Sequence, residues 1–249
     1  MKRILLLALA GLGFGLACRP TPTPSPTPMV DPRLAQARAA LQRGDALSAI
    51  AQLEPFVREH PEALDARVWL GDAYALAGRM GEAEQTYREV LRQVPDHALA
   101  RLSLGTALYQ SGRLSEAIAE AQAVLAKHPQ EARAHYLLGA AFLQQNRILE
   151  ARKAFDQALR FRPDFPEAYV GRGSVRLLEG DFAGAEADLR RALALRPGMS
   201  EALYWLGRLL AHQGREEEAR ALLRQFLAAN PPAPFAHDAE ALLRLLGED

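Results

Sequence analysis

The sequence predicts an all-α solenoid of six 34-residue helix–turn–helix repeats, stacked in one register and closed by a C-terminal capping helix. Three observations predict it. Four residue columns recur every 34 positions without an insertion. Between the columns the apolar residues follow helical spacing. The composition is 49% hydrophobic but only 7% aromatic, dominated by Ala and Leu, which favours close helix–helix packing over a sheet.

The first element is an address. Lys2 and Arg3 precede an apolar run from Ile4 to Ala17, which together form the parts of a secretory signal peptide over residues 1–17. The 14 apolar residues are too few to span a bilayer comfortably as a helix. Cys18, the single cysteine, follows Gly15-Leu16-Ala17 and excludes both an internal disulfide and a Cys-based zinc site. This junction resembles the lipobox of bacterial lipoproteins, and the resemblance implies that Cys18 becomes a lipidated N-terminus. The usual Leu three residues before the Cys is Gly15 here, with Leu16 one position late. Gly-Leu-Ala also serves as an ordinary cleavage site, so plain secretion and an uncleaved anchor remain alternatives. Residues 18–29 then form a tether: Pro alternates with Thr or Ser from Pro20 to Pro28. Proline removes donors and fixes φ, so this stretch reads as a polyproline II spacer of roughly 30 Å.

The repeats occupy residues 30–63, 64–97, 98–131, 132–165, 166–199 and 200–231. One column reads Ala37, Gly71, Gly105, Gly139, Gly173 and Gly207, and a second reads Ala49, Ala83, Ala117, Ala151, Ala185 and Ala219. Small side chains there let two helices cross closely. A third column, Gly44, Gly78, Gly112, Asn146, Gly180 and Gly214, ends each first helix where a left-handed backbone is needed. The fourth, Pro61, Pro95, Pro129, Pro163, Pro197 and Pro231, stops each second helix. Pro55 inside the second helix of repeat one predicts a kink there. After the last repeat, residues 232–249 hold a capping helix with Phe235, Ala239, Leu242, Leu243 and Leu246 on one face.

This pattern of small and large residues on two antiparallel helices resembles the tetratricopeptide repeat (TPR), over residues 30–231. The resemblance implies a right-handed α-α superhelix whose first helices line a concave face, with positions 2, 5, 6, 9, 12 and 13 of each repeat pointing inward. Carried onto this chain, those positions name Val68, Trp69, Leu99, Leu102, Tyr109, Tyr136, Leu143, Val170, Leu177, Tyr204 and Trp205 as a partner-binding groove, with His212 beside them. Such a groove reads as apolar and aromatic with few charges, suited to an amphipathic helix or an extended apolar segment. Packing between neighbouring first helices is the equal alternative for each position. Chaperone-binding TPRs clamp a C-terminal carboxylate with inward Lys and Asn. Position 9 here runs Arg38, Asp72, Thr106, Ala140, Ser174 and Arg208, and position 5 has no Lys, so the clamp is absent.

No catalytic grouping is legible. The six histidines include no His-Glu-x-x-His pair, no serine sits in Gly-x-Ser-x-Gly, and Gly171-Arg172-Gly173 belongs to the repeat and not to a phosphate loop. No cofactor or metal site is expected. A formal net charge of zero, with no basic stripe, argues against nucleic acid as a partner. The sequence therefore reads as a non-enzymatic scaffold of the bacterial envelope, lipid-anchored and facing the periplasm or exterior; a soluble secreted or periplasmic protein is the alternative. In length, lipidated N-terminus and repeat number it is similar to the TPR lipoproteins of type IV pilus and secretin assembly. Barrel-assembly or cell-wall-enzyme adaptors, and a carrier of a hydrophobic small molecule, remain alternatives.

Overall fold

The computed structural model describes residues 31–229 and 233–247. The expectations for the signal, Cys18 and the tether, and Pro231 of the fourth column, lie outside the described residues. Among the described residues thirteen α-helices form and no strand does. The first helices of the repeats are α1 (Pro32–Gln42), α3 (Leu64–Leu76), α5 (Ala98–Gln110), α7 (Ala132–Gln144), α9 (Pro166–Glu179) and α11 (Ser200–His212). The second helices are α2 (Ala46–Glu59), α4 (Met80–Gln93), α6 (Leu114–Lys127), α8 (Ile148–Phe161), α10 (Phe182–Leu195) and α12 (Glu216–Ala228), and α13 (Ala233–Leu245) follows. Each first helix packs on the first helix of the next repeat, whereas second helices pack only on first helices and on α13. First helices thus lie on the inside of the curve and second helices on the outside.

The turn column behaves as its chemistry demands. All six residues have positive φ, from 58° at Asn146 to 79° at Gly180. The next residue then donates its N–H to a carbonyl five residues back, as Arg79 does to Tyr74 and Arg147 to Phe142, closing the end of the helix. The small-residue column marks the crossing. A Cβ on Gly139 would lie 2.8 Å from Cδ1 and Cε1 of Phe155, and one on Gly71 would lie 2.5 Å from Cε1 of Tyr87. Gly171 also packs against the Phe155 ring, which explains the Gly171-Arg172-Gly173 sequence as packing. The facing Ala column is buried, each member with zero exposure. Helix α2 continues through Pro55 to Glu59.

Two further columns hold the stack together and were not read from the sequence. After the second helices of the first four repeats the prolyl carbonyl accepts from a side chain six residues on: Arg67 to Pro61, Arg101 to Pro95, His135 Nε2 to Pro129 and Tyr169 to Pro163, at 2.8–3.2 Å. At the start of the second helices, Arg79, Arg113, Arg147 and Arg215 each pair with a Glu three residues on. Arg113 and Arg215 also reach back to Glu84 and Glu186 of the preceding repeat, at 2.5 and 2.7 Å. These groups are largely solvated, so they fix register more than they stabilise. In repeat five Asp181 stands in the Arg position and accepts from the Gly184 N–H at 2.9 Å instead.

Helix α13 closes the stack. Ala239 and Leu243 are buried against Leu203, Leu223 and Phe226, and Tyr204 donates to Asp238 at 2.8 Å. Phe235, expected on the covered face, is 46% exposed and meets only the edge of the Tyr204 ring, at 5.3 Å between centroids.

Gly139→Ala should destabilise the protein by about 1–3 kcal/mol in urea unfolding, because the Phe155 ring also packs against Gly171 and cannot yield. Gly81→Ala, within α4 and facing open space, should instead stabilise by about 0.5–1 kcal/mol. Equal effects at both positions would mean that crowding at the crossing is not the constraint.

Candidate functional site

The concave face carries a cleft of about 610 Å³ built from four separate pieces of chain. Helix α5 contributes Leu102, Thr106 and Tyr109; α7 contributes Arg133, Tyr136 and Ala140. The turn after α8 adds Arg162, Asp164 and Phe165, with Glu167 of α9 and Arg196 beyond it. A second recess of about 390 Å³ shares Thr106, Gln110 and Arg133 with the first and extends to Asp72, Tyr87 and Ser103. The two make one groove from repeat two to repeat five.

The floor is aromatic. Tyr136 lies 5.1 Å from Phe165 and 5.9 Å from Phe155 between ring centroids, in tilted geometry. Burial pushes the Tyr136 hydroxyl up to about 12. The rim is charged. Arg162 stacks over Phe165 with its guanidinium carbon 3.4 Å from the ring centroid, and its Nε is buried without a hydrogen-bond partner. Arg196 pairs with Glu167 at 2.5 Å. In the recess, Tyr87 donates to Asp72 Oδ1 at 2.8 Å. Burial raises the Asp72 carboxyl above its ordinary range, opposed by the hydrogen bonds from Tyr87 and Ser103 and by the charge of Arg133.

The sequence-derived groove set divides in three. Leu102, Tyr109 and Tyr136 line the cleft. Val68, Val170 and Tyr204 are buried, as is Leu102 beneath the cleft floor, and these side chains offer a ligand little or no surface. Val68 packs among α3, α4 and α5, and Val170 packs against α10 and α11. Tyr204 is covered by the capping helix. Trp69, Leu99, Leu143, Leu177 and Trp205 are half-buried. Of these, Trp69 leans on the core of repeats one and two, Leu99 and Leu143 lean on cores farther along, and Trp205 leans on the core under α13. His212 packs against Phe182 with 5.5 Å between centroids. The expectation of few charges is corrected: Arg133, Arg162, Asp164, Glu167 and Arg196 ring the cleft. Arg162, Asp164 and Arg196 lie at the ends of second helices, where a reading confined to first helices does not look. Their signal in the sequence is the Arg or His that recurs just before the column prolines, as Arg162 and Arg196 do here.

Among the described residues no three His, Cys, Asp or Glu side chains gather as a metal-binding set, and no helix is long and apolar enough to cross a membrane. A groove with an aromatic floor and a charged rim can hold an extended segment by stacking and by ion pairs.

The family profile for the tetratricopeptide repeat matches residues 34–98, 83–130, 102–166, 141–199 and 170–234. No curated protein matches the chain. Among solved structures, a thermophilic TPR protein of Thermus thermophilus is 23% identical, with a TM-score of 0.64 over 73% of this chain and 99% of that one. PilF of Pseudomonas aeruginosa is 20% identical, with a TM-score of 0.66 over 85% of this chain and 96% of its own. PilW, a widely conserved type IV pilus biogenesis factor, is 19% identical, with a TM-score of 0.67 over 83% and 96%. At these identities the likeness is one of fold.

The Asp72 shift has a sign. An acid whose folded-state pKa is raised binds more protons folded than unfolded, so stability falls as pH rises from its ordinary value of 3.8 through the raised one. Asp72→Asn keeps an oxygen for the Tyr87 hydroxyl and loses that dependence. Urea midpoints from pH 3 to 8 should show the variant gaining on the wild type as pH rises above about 4; a constant gap would mean that Asp72 is not desolvated.

Proposed function

The chain belongs to the tetratricopeptide-repeat family, and on that premise we propose that it is a membrane-anchored scaffold of the bacterial cell envelope that holds a segment of a partner protein in its concave cleft. One observation carries this reading: the cleft joins the aromatic side chains of Tyr109 and Tyr136, with Phe165 buried beneath them, to a rim of charged groups along four repeats. That is the surface an extended segment of protein needs, with apolar side chains stacked on the floor and polar ones met at the edge. A hydrophobic solute fits it less well, because Arg133 and Arg162 on the rim would lose water without gaining a partner.

The envelope location rests on residues 1–29: the signal-like run, Cys18 at a lipobox-like junction and the proline-rich tether. One acyl chain anchors only marginally, and lipoprotein-type acylation supplies more than one. The pilus and secretin role is supported by architecture: PilF and PilW share this fold along most of the chain. The scaffold would present its cleft a short distance from the membrane, where assembling envelope subunits pass.

Two measurements test this. Metabolic labelling with a radioactive fatty acid should mark the wild type and leave Cys18→Ala unmarked; label on the variant removes the anchor. Thr106 is exposed and lines both parts of the groove, so Thr106→Trp should block it without unfolding the chain. Quantitative mass spectrometry of envelope pull-downs should show a secretin or pilin subunit with the wild type and at least tenfold less with the variant. Recovery unaffected by Thr106→Trp would place the partner elsewhere on the solenoid.

A further inference from the structure

Because the repeats keep a 34-residue period, a side chain in one repeat has a counterpart 34 positions away in the next. In repeat five, Arg196 at the end of the second helix pairs with Glu167 at the start of the first helix, at 2.5 Å. Moving back 34 residues turns this pair into Arg162 and Arg133. The acid of the pair has become a second arginine. Two guanidinium groups therefore stand in repeat four where repeat five has an ion pair, and both line the same cleft.

Among the described residues no carboxylate forms a salt bridge with either arginine. Among the described residues, salt bridges tie up Arg113, Arg147, Arg172, Arg190 and Arg215, among others, but neither Arg133 nor Arg162. The Arg162 Nε is buried with no acceptor, a costly state for a charged donor. Stacking on Phe165 holds that guanidinium in place. Asp72 feels the charge of Arg133 but is already bonded by Tyr87 and Ser103. Asp164 is exposed on the rim and bridges to neither arginine.

We propose that this pair reads an acidic side chain in the bound segment. The carboxylate of an Asp or Glu lies between Arg133 and Arg162, and a neighbouring apolar side chain rests on Tyr109 and Tyr136. The inference builds on the cleft assigned above and names its ligand: an extended partner segment with an acid beside an apolar or aromatic residue. Planar guanidinium groups suit a carboxylate, and the buried Nε of Arg162, held against the Phe165 ring, strengthens the contact on that side.

The internal comparison also supplies the variant. Arg133→Glu recreates the pair of repeat five, so a carboxylate belonging to the chain itself should occupy the place. The experiment is selection of a random phage-displayed peptide library on the purified full-length chain, with deep sequencing. Wild type should enrich Asp and Glu at least threefold over the input, next to Leu, Phe, Tyr or Trp. Arg133→Glu should melt at or above the wild-type temperature and lose the acid enrichment. For the best wild-type peptide, exchanging its acid for the amide should weaken binding about tenfold by fluorescence anisotropy. No acid enrichment on the wild type, or undiminished enrichment on Arg133→Glu, overturns the proposal. Thr106→Trp separates the two levels: peptides lost on it but indifferent to Arg133→Glu refute only the acid preference, whereas peptides indifferent to Thr106→Trp refute the cleft as well.

Discussion

Everything in this structure depends on how closely the two helices of a repeat approach. At the crossing the first helix offers Ala37 or a glycine, the second offers an alanine with no exposed surface, and a large side chain half a repeat on fills what remains. Tyr87, Phe155, Leu189 and Leu223 play that last part against Gly71, Gly139, Gly173 and Gly207. At Gly71 and Gly139 there is no room for one more carbon, and at Gly173 and Gly207 a neighbour would have to give, so the geometry varies little from repeat to repeat. In repeat three the large residue is replaced by Ala121, and Gly105 is filled by Leu137 of the next repeat instead. The constraint is one of total volume and is met from either side.

A fixed crossing has consequences at longer range. Identical units stacked with a constant rotation must form a superhelix. First helices touch one another along the inside, while second helices are spread apart on the outside. The concave face is therefore a consequence of packing, and its lining is set by whichever residues fall at the inner positions of the first helices and at the turns that follow the second ones. The turns themselves are standardised by the left-handed residue after each first helix and, in the first four repeats, by the side chain that caps the prolyl carbonyl.

Function is written in the departures from this regularity. A repeat protein tolerates change at surface columns because each unit contacts only its neighbours. Repeat four uses that freedom: Phe165 and Tyr136 make an aromatic floor, and Arg133 stands where the next repeat has Glu167. Repeat six uses it differently, with Tyr204 bonding to Asp238 of the capping helix in place of facing the groove. Tyr136 and Tyr204 occupy the same position in their repeats yet serve opposite ends, one lining the cleft and one sealing the solenoid.

The sequence by itself determined the solenoid. Repeat length, helix boundaries, the six left-handed turn positions and the capping helix are all local properties: a glycine at a helix end or a proline after one acts within a turn of its own position. The identity of the binding surface was a different matter. Val68 and Val170 sit at inward positions but are buried between helices, and Trp69 and Trp205 share a register but pack into separate cores. Whether a side chain lines a groove depends on how far its neighbours in other repeats leave it uncovered, and no column records that. Likewise the two arginines of the cleft are 29 residues apart in the chain. Only the packing of α7 against α8 and the turn that follows it sets both on one cleft, because electrostatic and packing partners are chosen by distance in space and not by spacing along the chain.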